Sequence, residues 1–532
     1  MFHNSFVLSG ALLALTISLA LPVPVHASKR TPLALPPWSG WQINNPTSTS
    51  IATDADGTSY ASVVNPAGVE PSPVGIQLTL PLDKLRGCQI GVTVEVRAKD
   101  VTKPQHTWNG VKAMVHVTSS SAPDTWDAAE GNVEPYPFSY DWKKLAFRTS
   151  IPAGATGATL IFGLQESNGR ADFRNPTVTI MRPLLDLSKA SPATGPIYTG
   201  HGPGALRGVM INPKMTASDI ETLARWHVNL VRWQLTWNGF PFSPADTADA
   251  ATYDKWLYGC LDHMDELLPA FHKAGIIVLI DLHTPPGGRM PDKVMRIFTD
   301  AGCQKHFGDL WMRIAERYKN DQRIWGYDLV NEPVLPGETN GLLDWHDLVE
   351  QTAKRVRTID PNHAIIIEPD PWGSVSSLAQ FEPVDVKGVV YSVHMYDPGQ
   401  FTHQGVHANL LVGPVYPGVI GGVQWDKERI RKDFAPVAAY ARATHSQIYV
   451  GEFSAIRWAN GADRYISDVI DVMEENGWDW SYHAFREWQG WSPEVGEDKN
   501  VTTPAAAPTA RLLILQKAFA RNRAETTKIV KP

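Results

Sequence analysis

The stretch Trp325-Gly326-Tyr327-Asp328-Leu329-Val330-Asn331-Glu332-Pro333 opens on aromatic and apolar residues and closes on an amide, a carboxylate and a proline. A short apolar run that ends at a turn signal reads as a buried strand. The segment after it, 342–357, has helical texture, and the same alternation repeats on both sides. Strand-like runs fall at 208–211, 229–233, 276–282, 364–367, 389–394, 448–451 and 480–485. Helix-like segments at 253–274, 304–318, 427–443 and 462–476 lie between them. Eight strands with intervening helices over roughly 320 residues fit a (β/α)8 barrel of the TIM type better than an open doubly wound sheet. The barrel is expected over 205–525.

Upstream the texture changes. Residues 89–96 alternate with period two after Gly91, and 114–117 and 158–162 are further strand-like runs between Pro, Gly, Ser and Asp clusters. Long amphipathic helices are absent there, so 31–190 is expected to be a smaller β-sandwich of the jelly-roll kind. The Pro- and Gly-rich stretch 191–204 reads as a linker. At the front, the apolar run 6–25 followed by Val25-His26-Ala27 fits a signal segment spanning 1–27 and cleaved after Ala27, although 1–5 carry no Lys or Arg. An uncleaved anchor is the alternative. The expected destination is therefore outside the cytoplasm, secreted or periplasmic, with no stable membrane insertion after cleavage.

Composition removes several classes. The net charge of −7 leaves no electrostatic footprint for nucleic acid. Three cysteines, Cys88, Cys260 and Cys303, are too few for a disulfide scaffold; a Cys260–Cys303 bridge is possible, and buried thiols are the plainer reading. No G-x-G-x-x-G follows a strand, no G-x-S-x-G elbow is present and no H-E-x-x-H occurs, which disfavours a dinucleotide site, a serine hydrolase and a zinc hydrolase. The chain has 19 Trp, too many to assign to a core without asking whether some form platforms for a flat ligand.

In a barrel, working side chains sit at the C-terminal ends of strands. The fourth run ends Asn331-Glu332-Pro333 and the seventh ends Gly451-Glu452-Phe453, so two carboxylates can face each other across the mouth. One such Glu alone is usually a salt bridge or a helix cap. The pair, in this context, resembles glycoside hydrolase family 5, a family of retaining barrels with catalytic Glu at strands four and seven. Arg232 in Leu230-Val231-Arg232, His283 in Asp281-Leu282-His283, and His394-x-Tyr396 agree with that resemblance, which covers about 207–520.

The resemblance implies double displacement, with Glu332 as general acid and then base and Glu452 as nucleophile. It implies Arg232 and the Tyr396 hydroxyl as stabilisers of ionised Glu452, Asn331 on the sugar 2-OH, and His394 and His283 around the reacting sugar. The family places a stacking Trp after strand eight; Trp488 is the expected one, with His483 or Phe485 as alternatives, and Trp237 and Trp372 are further platform candidates against core packing. No cofactor is implied, since the chemistry needs only carboxylates and water.

Two readings stay open for the N-terminal module. Trp142–Phe147, Leu160–Leu164 and Asp172-Phe173-Arg174 resemble the closing half of jelly-roll carbohydrate-binding modules, a pattern that non-binding sandwiches share. Trp108, Trp126 and Tyr136 are the platform candidates there, Trp142 is expected in the core, and Asp54-Ala55-Asp56-Gly57 reads as an ordinary turn rather than a calcium loop. The expected substrate is a β-glucan, cleaved by a cellulase-like endoglucanase. The alternatives are an exo-acting β-glucosidase, a mannanase, a glycosidase on another β-linked glycan and, in a different class, a non-catalytic carbohydrate-binding surface protein.

Overall fold

The computed structural model describes residues 30–532 except 107, 121–123, 188–194, 238–248 and 408. The expected signal segment 1–27 and the start of the expected linker, 191–194, lie outside the described residues. Two antiparallel sheets form the N-terminal domain. One has the order Thr49–Thr53, Ser59–Asn65, Gly169–Pro183, Cys88–Val101 and Phe138–Ile151, with Thr31–Leu33 added beside Gly169–Pro183. The other runs Gln42–Ile43, Val74–Thr79, Ala155–Gln165, Gly110–Ser119 and Thr125–Glu130. Their facing sides close on Val92, Val94, Val96, Phe162 and Phe173, with Trp41 stacked on Phe162 at 5.3 Å.

Trp142 departs from expectation. It lies half-buried on the outer face of the first sheet, where the Arg97 and Arg174 guanidiniums stack on it at 4.5 and 4.2 Å and its indole donates to Asp54. Period two explains the correction: Leu145 and Phe147 take the inner side, so the even-numbered Trp142 faces out. The Asp54–Gly57 segment is a turn, closed by the Gly57 amide on the Asp54 carbonyl, and its carboxylates take up Arg97 and Arg174.

The second domain is a closed barrel of eight parallel strands: Arg207–Ile211, Leu230–Gln234, Ile277–Asp281, Ile324–Asp328, Ala364–Ile367, Val389–Met395, Ile448–Phe453 and Asp479–Tyr482. Residues 195–204 form no free tether. Thr199 accepts the Trp325 indole N–H through its carbonyl, and buried His201 meets Asp479 at 2.9 Å, so this segment closes the barrel floor. Among the described residues no helix is long and apolar enough to cross a membrane. All three cysteines are free thiols, and burial pushes Cys260 and Cys303 up to about 11.

Strand periodicity sorts the barrel into an apolar base and a charged top. Leu230, Leu279, Trp325, Ile366, Val390 and Tyr449 fill the interior near the floor, while Val231, Ile280, Tyr327, Ile365, Val393 and Val450 face the helices. Two to four residues beyond these floor positions, Arg232, Asp281, Asp328, Glu368, His394 and Glu452 are polar and buried. The apolar layers fix the strands, and the strands fix where the charges meet.

Candidate active site

Arg232 is the hub of the top layer and is wholly buried. Its Nη1 donates to Glu452 Oε1 at 2.8 Å, its Nε to Asp328 Oδ2 at 2.9 Å, and its Nη2 to Glu368 Oε1 at 2.8 Å and to Asn331 Oδ1 at 3.1 Å. Asp281 Oδ1 stands 3.2 Å away. One guanidinium therefore faces four carboxyl groups. Burial drives Asp328 well above the usual carboxylate range, which lowers the negative charge that Arg232 must offset.

Glu452 shows the opposite balance. Burial alone would raise its pKa, but the cations of His394, His483 and Arg232 hold it well below the usual glutamate range. Its second oxygen accepts the Tyr396 hydroxyl at 2.9 Å. Burial, together with the neighbouring Glu452 and Glu332 carboxylates, pushes Tyr396 far above the ordinary phenol range, so it remains a donor. The nucleophile expected from the seventh strand is thus an anion held from two sides.

Glu332 projects from the end of the fourth strand with φ of 51°, a backbone region that costs a non-glycine residue about 1–3 kcal/mol. Three groups hold it there. Glu368 Oε2 accepts the Glu332 amide at 2.7 Å, and Arg289 Nη2 donates to the carbonyls of Asn331 and Glu332 at 3.0 and 2.7 Å. The His394 Nδ1 meets Glu332 Oε1 at 3.0 Å and its Nε2 lies 3.1 Å from Glu368. Burial would lower His394, but Glu368 and Glu452 raise it well above the usual imidazole value. Gly373 passes so close that a Cβ there would stand 2.6 Å from Glu368 Oε2.

His283 and Asn331 complete the floor of the cleft. His283 Nδ1 lies 2.9 Å from Asp281, and the Asn331 amide is 3.4 Å from His283 Nε2, an arrangement in which Nδ1–H donates to the Asp281 carboxylate and Nε2 accepts from Asn331. Glu332, His394 and Glu452 bring two carboxylate oxygens and one ring nitrogen within 4.8 Å of one another. That is a donor set a divalent cation could share, yet Glu332 already pairs with His394, and Glu452 with Arg232 and Tyr396.

The Trp platforms divide. Trp372 is 39% exposed at the rim, its amide bonded to the Pro333 carbonyl and its ring covered on one side by Arg289 at 5.1 Å. Trp237 packs against Trp256 at 4.8 Å and Tyr253 at 6.1 Å. Trp488 sits in an aromatic group with Trp458 and Trp491, at 6.0 and 5.8 Å. The side chain that strand eight sets beside the nucleophile is instead His483. Its Nδ1 is 2.6 Å from the Tyr396 hydroxyl and 3.9 Å from Glu452, and its Nε2 is 3.2 Å from Glu487, which also accepts from Gln234. Strand eight ends at Tyr482, so its next inward position is 483, five residues before Trp488. Trp491 is buried against His483 and His403 rather than open to a ligand.

Sequence reasoning passed over Glu368, Asp281, Asp328, Arg289, Glu487 and Gln234. Glu368 carried a signal close to that of Glu332, a carboxylate at the end of an apolar run and directly before a proline. Asp281 and Asp328 lay inside quoted runs, where only the inward phase of each strand reveals them.

An eight-stranded parallel barrel whose mouth holds two facing glutamates, one anchored by arginine and tyrosine and the other against a histidine, is the architecture of a glycoside hydrolase. Residues 197–488 match the family model described as "Cellulase (glycosyl hydrolase family 5)", and the chain belongs to that family. Endoglucanase C of Acetivibrio thermocellus is 28% identical over 300 residues, covering 50% of this chain and 84% of that protein. Cellodextrinase A of Ruminococcus flavefaciens is 23% identical over 318 residues, covering 59% of this chain and 89% of its own. A solved glycoside hydrolase aligns with a TM-score of 0.49 at 22% identity, over 59% of this chain and 99% of the other.

Proposed function

We propose that this protein is an exported, retaining endo-β-glucanase. The observation that carries the mechanism is the spacing of its carboxylates: oxygens of Glu332 and Glu452 approach within 4.8 Å. Retaining glycosidases hold their carboxyl groups about 5–5.5 Å apart, whereas inverting ones leave about 6.5–9.5 Å for a water. In the first step the Glu332 carboxyl gives its proton to the glycosidic oxygen as the bond from that oxygen to the anomeric carbon breaks. Glu452 attacks the same carbon from the other face and forms an ester. Glu332, now a carboxylate, takes a proton from water, whose oxygen displaces Glu452 and returns the starting anomeric configuration.

The pinning of Glu452 suits this role. Arg232 and Tyr396 hold an ionised, aligned nucleophile, and both contacts leave the anion in place when the ester is cleaved. The β-glucan reading is supported by the endoglucanases among the relatives. The complete catalytic set speaks against a non-catalytic sugar-binding protein.

Incubation with carboxymethyl-cellulose, cello-oligosaccharides, mannan and aryl β-glucoside is expected to give fastest cleavage of the soluble cellulose and cello-oligosaccharides. Proton NMR is expected to show the β-anomer of the new reducing end first. Inertness across the panel would overturn the enzymatic reading, the α-anomer appearing first would overturn retention, and preference for aryl glucoside or mannan would replace the endoglucanase assignment. Export follows from the apolar segment 6–25, and N-terminal sequencing of the exported protein is expected to begin at Ser28. A chain retained in the cytoplasm with Met1 in place would refute it.

A further inference from the structure

The sandwich meets the barrel at the loop that carries Glu332. In the strand Phe138–Ile151 the inward positions Leu145 and Phe147 turn Lys144, Ala146 and Arg148 to the outer face, and Arg182 lies across the intervening strand Cys88–Val101. Gly337, five residues beyond Glu332, comes so close that a Cβ there would stand 2.0 Å from the Ala146 carbonyl oxygen. Arg148 Nε reaches the Gly337 carbonyl at 3.4 Å, and Lys144 pairs with Glu338.

The stronger grip is on Asp344, which is 1% exposed. Its Oδ2 accepts from Arg182, with Arg148 and Arg30 at 3.6 and 3.7 Å. Its Oδ1 caps the helix Trp345–Ile359 by accepting the Asp347 amide at 3.2 Å. The next residue, Trp345, is fully buried and donates its indole N–H to the Glu368 carbonyl at 2.7 Å. Glu368 in turn accepts the Glu332 amide and sits against His394, the partner of the Glu332 carboxyl.

Arg182, Asp344, Trp345, Glu368 and His394 are all buried, and each is bonded to or adjoins the next, with half-buried Arg148 and Glu332 at the two ends. Two guanidinium nitrogens at the interface, Arg148 Nη2 and Arg182 Nη1, have no hydrogen-bond partner, so the cluster bears a desolvation cost it does not fully recover. Buried ion clusters add little net stability, and their best attested use is to select one geometry.

We propose that the sandwich domain is a positioning element for the acid/base: Arg182 and Arg148, acting through Asp344, Trp345 and Glu368, set where the Glu332 carboxyl stands relative to the scissile oxygen. The inference rests on the reading of Glu332 as general acid. It predicts a defect specific to proton donation, because a displacement of about 1 Å at a reacting group costs on the order of 100-fold.

The test compares kcat/KM, which reports glycosyl transfer to the enzyme, for two aryl β-cellobiosides in the full-length chain. The dinitrophenyl substrate leaves without a proton, and the methylumbelliferyl substrate needs one. Arg182→Met and Asp344→Asn, the latter retaining a capping side chain, are expected to lose on the order of 10- to 100-fold on the methylumbelliferyl substrate and under about threefold on the dinitrophenyl one. Partial unfolding lowers both rates by the same factor, so the ratio stays informative. Equal losses on both substrates, or none, in both variants would overturn the proposal. Glu332→Ala separates the two ideas: if it loses both substrates equally, the acid assignment fails, and if it alone shows the selective loss, only the role of the sandwich fails.

Discussion

Glu452→Gly is expected to lower kcat/KM on the order of 10⁴- to 10⁶-fold, the scale seen when a covalent nucleophile is removed. The structure gives the reason for so large a figure. The Glu452 oxygens are already aligned by Arg232 at 2.8 Å and Tyr396 at 2.9 Å, and no other ionised group shares that position. Glycine leaves a space where a small anion fits. Azide added to Glu452→Gly with an activated aryl glycoside is expected to attack from the vacated face and yield a glycosyl azide of inverted configuration. Glu332→Ala keeps the nucleophile, so azide there should intercept the ester and give the retained product. If both variants give the same configuration, or if Glu452→Gly keeps wild-type activity, the two roles are wrongly assigned.

Arg232→Met carries the second large effect, this time on stability as well as rate. The substitution preserves most of the volume but strands Asp281, Asp328, Glu368 and Glu452 without their common cation. Breaking a buried ion cluster on one side costs about 3–5 kcal/mol, measurable by urea denaturation. The pH dependence of that cost has a definite sign. Glu452 has a folded pKa below its unfolded one, so its ionisation stabilises the native state above the ordinary glutamate range and the benefit is lost as pH falls through the folded value. Removing Arg232 removes part of this benefit, the rest coming from His394 and His483, so the deficit of the variant should be largest near neutral pH and shrink below about pH 4. The acid limb of kcat/KM, set by ionisation of the nucleophile, should move to higher pH. A variant with wild-type stability and an unmoved acid limb would refute the hub role of Arg232.

His483 illustrates how the site departs from a plain reading of strand eight. An imidazole bonded to the Tyr396 hydroxyl and to Glu487 stands next to the nucleophile where the indole of Trp488 was expected, and its own pKa rises because Glu487 and Glu452 outweigh the effect of burial. Glu452 is thereby flanked by cations on several sides. The exposed Trp108 and Trp126 of the sandwich stack on His106 and His116 and remain open surface aromatics.

Several features of this protein were set by sequence alone because they depend on local order. Apolar runs of strand length alternating with helical segments gave eight barrel strands, each within a few residues of its observed place, since burial on both faces requires near-continuous apolar composition. The rim rule then located Glu332 and Glu452, because a strand end leaves its last side chains beyond the packed layers. Tertiary structure alone decided the rest. Whether Asp281, Asp328 and Glu368 were core, cap or site depended on the inward phase of strands two to five and on Arg232 reaching all of them at once. Trp142 faces out because its neighbours in the sheet, rather than its hydrophobicity, set its side. Nothing along the chain marks Asp344, and only the folding of a second domain against it placed three arginines around it. Contacts between segments more than a hundred residues apart leave no periodic trace along the chain, because they are selected by the packing of finished elements.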